Sequence, residues 1–362
     1  MKTAHENGRR EYPLVIPVFI MNGGCPNRCI FCNERIAAGN FSEQITQSFF
    51  EARVESYLSW SKSKSRRVEI AFYGGNFTGL PLEKQTLLLS WAGKYIRNRT
   101  AHAVRISTRP DYIDDGKLDF LEAHSVRTVE IGVQSFNDEV LRLACRGHDA
   151  DCARQALILL KSRGFTTGIH LMAGLPGDTK ESFTQTLEIT ASVKPDTARI
   201  HPVLVFKDTP LARQWQDGLY QPLGLEEAID WCTLAWETLV PAGIRIIRLG
   251  LQITPEMAAE GALPAGPLHR SLGSLVHGAV FYSATLKLLS DVPQQARRLK
   301  FSVHPRDLSR FRGFRNKNTH AIKKLYPGAQ IVIDSGPGAV CGRITVSTET
   351  AGPFSADIAG FG

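Results

Sequence analysis

Apolar runs and amphipathic stretches alternate along the first two thirds of the chain. Leu14 to Met21 is an apolar run that reads as a buried strand. Val68 to Tyr73 predicts a second strand, closed at once by Gly74-Gly75. Pro81 to Arg97 predicts a helix whose apolar face carries Leu82, Leu87, Leu88, Trp91, Tyr95 and Ile96. Ala103 to Ser107 predicts a third strand, and Leu118 to Ala123 lies in a helix. Arg127 to Val133 predicts a fourth strand ending at Gln134, followed by helical pieces at Glu139 to Leu143 and Cys152 to Lys161. Thr166 to Met172 predicts a fifth, running into Ala173-Gly174-Leu175-Pro176-Gly177-Asp178. Asp178 with Glu181 fits a helix N-cap and its partner at N3, and Pro195 stops that helix after Val193. Ala198 to Val205 predicts a sixth strand.

Strands alternating with helices in this way predict an α/β fold with a parallel sheet and helices outside. No Gly-x-Gly-x-x-Gly follows the first strand, which disfavours a dinucleotide-binding fold. A (β/α) barrel, complete or partial, is the alternative, and barrels carry their chemistry on the loops after the strands. Beyond Leu211 the pattern changes. Leu225 to Val240 reads as a helix, Ile244 to Leu249 as a strand, Pro255 to Pro267 as a loop and Leu272 to Leu289 as a helix. Leu299 to Val303 and Gln330 to Ile333 read as strands around a helix at Asn316 to Leu325, which predicts a small α/β extension. The expected organisation is a flexible N-terminus 1–13, a barrel 14–250, an extension 251–347 and a flexible tail 348–362.

Composition fits this picture. At 362 residues, 43% hydrophobic and 22% charged, the chain matches a soluble globular protein with room for a barrel and an appendage. Met1 to Pro13 is polar and lacks the apolar core of a signal peptide, and no apolar run is expected to cross a bilayer. The net charge of +8 is concentrated. Residues 294–324 hold ten Lys and Arg against the single acid Asp307, a local +9, so the remainder sums to −1. Such a segment suits a polyanion or a solvated surface.

Chemistry enters at Gly23 to Asn33. Cys25, Cys29 and Cys32 follow the first strand at a spacing that lets one short loop wrap three sulfurs around an iron–sulfur cluster, leaving one iron open. Structural zinc wants four ligands, often as paired Cys-x2-Cys knuckles, and Cys145, Cys152, Cys232 and Cys341 are scattered. A ferredoxin-type site wants a fourth cysteine nearby. Seven cysteines is an odd number without secretory context, which disfavours disulfides. Thiolate ligands suit a reducing compartment, so a cytoplasmic location is expected.

Further candidates sit at strand ends. Gly74-Gly75-Asn76 follows the second strand, where glycines admit a ligand to the backbone or simply make a turn. Ser107 and Arg109 follow the third; an arginine there pairs with an anionic ligand or a surface acid. Gln134 closes the fourth, and Arg146-Gly147-His148 follows its helix. Arg199, His201 and Arg248 lie on later strands, facing substrate or serving as structural polar groups.

The run Cys-x3-Cys-Ile-Phe-Cys, Gly-Gly-Asn-Phe-Thr, Ser-Thr-Arg-Pro-Asp-Tyr, Gly-Val-Gln-Ser-Phe, Arg-Gly-His and Gly-Leu-Pro-Gly-Asp resembles the radical S-adenosylmethionine (SAM) superfamily, most closely the Elongator catalytic-subunit type. The resemblance covers about residues 14 to 250 and implies a partial (β/α)6 TIM-type barrel. It implies a [4Fe-4S] cluster on Cys25, Cys29 and Cys32, with SAM lined by Phe31, Gly74, Gly75, Asn76, Ser107, Arg109, Gln134 and Arg146. It further implies reductive cleavage of SAM to a 5′-deoxyadenosyl radical, with electrons from a donor such as flavodoxin or ferredoxin. Relatives often carry acids where Asn76 and Ser107 stand, and His170 replaces an aspartate usual in coproporphyrinogen oxidases. No glycine-rich acetyl-CoA turn follows Val303, so the acetyltransferase half of the Elongator type is not expected.

Three functions are consistent with these features. A radical enzyme acting on tRNA or other RNA uses residues 294–324 for phosphates, with Phe301, Phe311 and Phe314 interleaved for stacking. A radical enzyme acting on a small molecule such as a tetrapyrrole uses that segment as a lid. A non-catalytic cluster protein merely binds RNA.

Overall fold

The computed structural model describes residues 13–20, 24–26, 29–33, 36, 45–61, 66–336 and 338–361. Seven strands, β1 Leu14–Phe19, β2 Val68–Tyr73, β3 Ala103–Thr108, β4 Val126–Gln134, β5 Thr166–Ala173, β6 Thr197–Pro202 and β7 Arg245–Leu249, form one sheet in chain order. Register places Ile16 opposite Ile70, Ile70 opposite Val104, and Ile106 opposite Val129 in parallel pairs. Each crossover needs a long connection, and helices supply it. The sheet is a partial (β/α) barrel of the expected kind.

Alternation along the strands sorts their side chains onto two faces. One face carries Ile70, Phe72, Val104, Ile106, Val129, Ile131 and Val133, all buried. The other carries Glu69, Arg105, Thr128 and Glu130, also buried. These polar groups, together with β-bulges at Val104/Arg105 and Ala198/Arg199, distinguish the strands from uniform apolar runs.

Several elements differ from expectation. The helix Gln47–Trp60 was not foreseen because it buries only Phe50 and Val54 and so shows little apolar period. Thr46 caps it, and Phe50 packs against Trp91 at 5.7 Å between ring centroids. The strand expected from Ile244 joins the main sheet as β7, paired parallel with β6, making seven strands where six were expected. The cap of helix Lys180–Val193 is Thr179 with Ser182 as reciprocal partner, one residue later than Asp178 and Glu181. The helix Leu272–Leu289 is, by length and composition, apolar enough to cross a bilayer, contrary to the sequence reading. Eight of its residues, Phe281 and Val280 among them, are buried in the protein, as in a core helix.

The chain divides into two compact units, 1–170 with 254–262, and 171–253 with 263–362. The second unit contains a four-stranded sheet, β8 Arg298–Val303, β9 Gln330–Asp334, β10 Arg343–Ser347 and β11 Phe354–Asp357, ordered β11-β10-β8-β9. Phe301 and Phe311 are buried against each other, 5.0 Å between centroids, so they are core residues and not stacking platforms. Among the three interleaved aromatics only Phe314 is exposed, at 57%.

Residues beyond Ser347, expected to fray, instead form β11 and pack. Phe361 lies 4.9 Å from Trp236 and 5.0 Å from Phe281 between centroids, and Trp236 Nε1 donates to Ala359 O at 3.1 Å. Phe361→Ala should therefore lose about 3 kcal/mol, as buried aromatic truncations do. Thermal unfolding should show a midpoint several degrees lower; an unchanged midpoint would mean the tail adds nothing.

Candidate active site

The loops after β1, β2 and β3 converge through one side chain. Asn76, fully buried, donates from Nδ2 to Gly24 O at 2.9 Å. Its Oδ1 accepts from Thr108 Oγ1 at 2.5 Å and from Arg109 N at 3.2 Å. The amide orientation is fixed, because only oxygen can face the Arg109 N–H. Gly24 is seated so closely that an added Cβ would lie 2.2 Å from Asn76 O and 2.5 Å from the Gly79 backbone. The start of the cysteine loop is thus bonded to the turn after β2 and to the end of β3. Gly74 and Gly75 stand in the left-handed region, φ 81° and 65°, which glycine adopts without strain.

Cys25 and Cys32 are exposed, while Cys29 is buried. Cys32 N donates to Cys29 O at 3.0 Å, making a tight turn through half-buried Phe31. Arg146 Nη1 donates to Cys29 Sγ at 3.1 Å, and its Nη2 donates to Gly132 O. Its Nε faces His148 Nε2 at 3.3 Å. Burial, then the neighbouring Arg146 charge, lowers the His148 pKa to about 4, so its ring is neutral and its Nε2 accepts.

Arg109, 3% exposed, reaches the same loop from β3. Its Nη2 donates to Arg146 O at 2.6 Å, and Asp111 accepts from Nε and Nη2 at 2.9 Å each. Burial opposes its charge, but the Asp111 bonds and the Cys29 and Cys25 thiols outweigh that and raise its pKa. Arg109 Nη1 is buried without a hydrogen-bond partner among the described residues. At the end of β4, a Cβ on Gly132 would lie 2.9 Å from Gln134 Nε2 and 3.4 Å from Arg146 Nη2, so a larger residue there would push the Gln134 side chain aside. Gln134 holds a left-handed backbone, φ 74°, unusual for a non-glycine residue.

Arg109, Arg146 and Cys29 are therefore brought together by direct bonds or charge, and Gln134 lies beside Arg146. Ser107 stands half-buried on β3, in register with Glu130. Arg199 and Arg248, in the second unit, face each other in register across β6 and β7. Sequence reading missed the network on the polar face. Arg105 donates to Glu69 at 2.7 and 2.9 Å and to Glu130 at 2.7 Å. Tyr73 Oη donates to Glu130 at 2.9 Å, and His170 Nε2 lies 2.7 Å from its other oxygen. Burial opposes the Arg105 charge, but Tyr73, Glu130 and Glu69 outweigh it and raise its pKa. The signal was there: a charged residue, Glu69, Arg105 or Glu130, inside each of three successive apolar strands.

The radical SAM superfamily model matches residues 19–189, and the Radical_SAM C-terminal domain model matches residues 195–280. A parallel partial barrel whose first loop carries three thiols is the build of a cluster-dependent enzyme. The chain belongs to the radical SAM superfamily and is a radical SAM enzyme. A tRNA uridine(34) acetyltransferase of Methanocaldococcus jannaschii is 27% identical over 305 residues, 73% of this chain and 54% of that protein. Protein YhcC of Escherichia coli is 27% identical over 232 residues, 60% of this chain and 73% of that protein. The solved archaeal Methanocaldococcus infernus Elp3 superposes with a TM-score of 0.60 at 25% identity, covering 74% of this chain and 63% of that one. The chain spans about half the length of the acetyltransferases it matches. Membership in the superfamily implies a [4Fe-4S] cluster and SAM.

Two stability measurements test this description. Asn76→Asp turns an oxygen toward Gly24 O and should cost about 2–3 kcal/mol in urea unfolding, as an unpaired buried acceptor does; a neutral substitution would refute the brace. In the second unit, Asp178 accepts from Gly174 N at 3.1 Å and Ser182 Oγ at 2.5 Å. Burial raises its pKa from 3.8 to about 6, against those hydrogen bonds. A raised folded-state value means its contribution is full below about pH 4 and lost as pH rises through about 6. Wild type should gain on Asp178→Asn by about 2 kcal/mol between pH 7 and pH 4. A pH-independent difference would refute the shift.

Proposed function

We propose that Cys25, Cys29 and Cys32 hold the cluster, that the strand-end residues around them hold SAM, and that the substrate is RNA. A cluster held there would supply the electron for reductive cleavage of bound SAM to methionine and a 5′-deoxyadenosyl radical able to take hydrogen from the substrate. The unspent Arg109 Nη1 carries the reading: a buried guanidinium N–H without an acceptor calls for an anion, and the SAM carboxylate is one. The bond from Arg146 to Cys29 Sγ offsets negative charge on that sulfur and tunes a bound cluster. Gly74 and Gly75 offer backbone to the methionyl end. Gln134 and Ser107 supply amide and hydroxyl contacts, and the half-buried Phe31 ring, between Cys29 and Cys32 in the loop, supplies an apolar one. Asn76 acts by holding the loop, since its side-chain amide is committed to Gly24, Thr108 and Arg109.

RNA is favoured over a tetrapyrrole by the basic segment and by relatives named for tRNA uridine modification. Arg306, Arg312, Lys323 and Lys324 are exposed and form no ion pair among the described residues. An external electron donor such as flavodoxin or ferredoxin and a reducing, cytoplasmic setting complete the proposal.

Anaerobic reconstitution followed by SAM, reductant and total cellular RNA tests it. Wild type should bind about four irons, form 5′-deoxyadenosine, and form more when RNA is present. Cys29→Ala should lose the iron, whereas Arg109→Met should keep it and weaken SAM binding roughly 10- to 100-fold, the worth of a buried charge-assisted bond. Indifference to RNA would favour a small-molecule substrate. Full iron without 5′-deoxyadenosine would favour a non-catalytic protein.

A further inference from the structure

The loop Gly313-Phe314-Arg315-Asn316 in the second unit is built at a cost. Gly313, Arg315 and Asn316 all have positive φ, 70°, 50° and 61°. Asparagine and glycine tolerate this region, but arginine does not readily. The conformation is held from beneath by Asn318, which is buried. Its Nδ2 donates to Gly278 O at 2.9 Å, Phe311 O at 3.1 Å and Arg310 O at 3.2 Å. A Cβ on Gly313 would lie 2.7 Å from the Asn318 side chain, so the loop is locked on its anchor. What it displays is Phe314, a flat apolar ring 57% exposed. The Arg315 guanidinium lies 5.2 Å from the ring centroid, and the His269 ring stands edge-on at 6.2 Å. Arg312 and Arg315 flank the ring in sequence, and both are exposed.

We infer that this loop is a stacking site for an unpaired base of RNA, an inference that rests on RNA being the substrate. A ring set among cations matches a nucleotide, whose base stacks and whose phosphate is neutralised. An acidic peptide would use the cations but not the ring. Arg315, next to the exposed ring, holds a costly backbone conformation, and such strain persists only where the surroundings over-determine it. The site reads single-stranded rather than paired RNA, because duplex bases are already stacked on each other.

The test measures binding of a fluorescein-labelled twelve-nucleotide oligouridylate and a twelve-base-pair RNA duplex across a salt series. Phe314→Ala should weaken oligouridylate binding roughly ten- to hundredfold and leave the duplex within about twofold. Phe314→Trp should retain it. Arg315→Ala should reduce the slope of log affinity against log salt by about 1. 5′-Deoxyadenosine formation without RNA should be unchanged in all three. If wild type binds oligouridylate and Phe314→Ala binds it equally, this inference fails while the RNA reading stands. If wild type binds neither RNA, both fail. Polyglutamate competing as well as oligouridylate would assign the surface to an acidic protein and overturn the inference.

Discussion

The bond from Arg146 to the Cys29 sulfur ties the chemistry-bearing loop to the rest of its unit. That guanidinium also holds the Gly132 carbonyl at the end of β4, and its own carbonyl is held by Arg109 from the end of β3. Three strand ends thus meet at one cation. Its desolvation is compensated by sulfur, carbonyl and imidazole acceptors at once, as a buried charge requires. The histidine in this set contributes only because it is neutral; a protonated ring would repel the guanidinium beside it.

Below these loops the barrel strands carry a second charged cluster. Arg105 is buried with Glu69 and Glu130, donating to both carboxylates, and Tyr73 and His170 join through Glu130. A buried ion network is a poor source of net stability compared with apolar packing. Its value lies in specificity of register: shifting β3 by one residue against its neighbours would turn Arg105 into the apolar layer of Ile70 and Val129. The apolar face, packed by Phe72, Ile106 and Val133, supplies the driving force for burial.

The strands were legible because β-branched and aromatic runs ended in glycine or polar turns, and the strand-end motifs were legible from their position. The helix Gln47–Trp60 was not, since two buried residues in fourteen leave no period to read. β11 was missed because a four-residue strand does not announce its partner. The role of Asn76 was hidden for another reason. A sequence shows an amide after two glycines, but not that both of its ends are already bonded. Likewise Phe301 and Phe311 sit among basic residues in sequence while buried in the core, because strand alternation at Phe301 and the helical period at Phe311 put their charged neighbours on other faces.

The contact between Gly24 and the Gly79 backbone bears on how this protein tolerates mutation over time. An added carbon on Gly24 would lie 2.2 Å from Asn76 O and 2.5 Å from the Gly79 backbone, and one on Gly79 would lie 2.2 Å from Gly24 O and 2.3 Å from Asn76 Nδ2, so neither glycine admits another residue without displacing main chain. A side chain at either position has no rotamer to escape into, since the first carbon itself collides. Sequence drift in this region must therefore leave both glycines in place and accumulate elsewhere, making the pair a fixed point around which descendants of this chain vary.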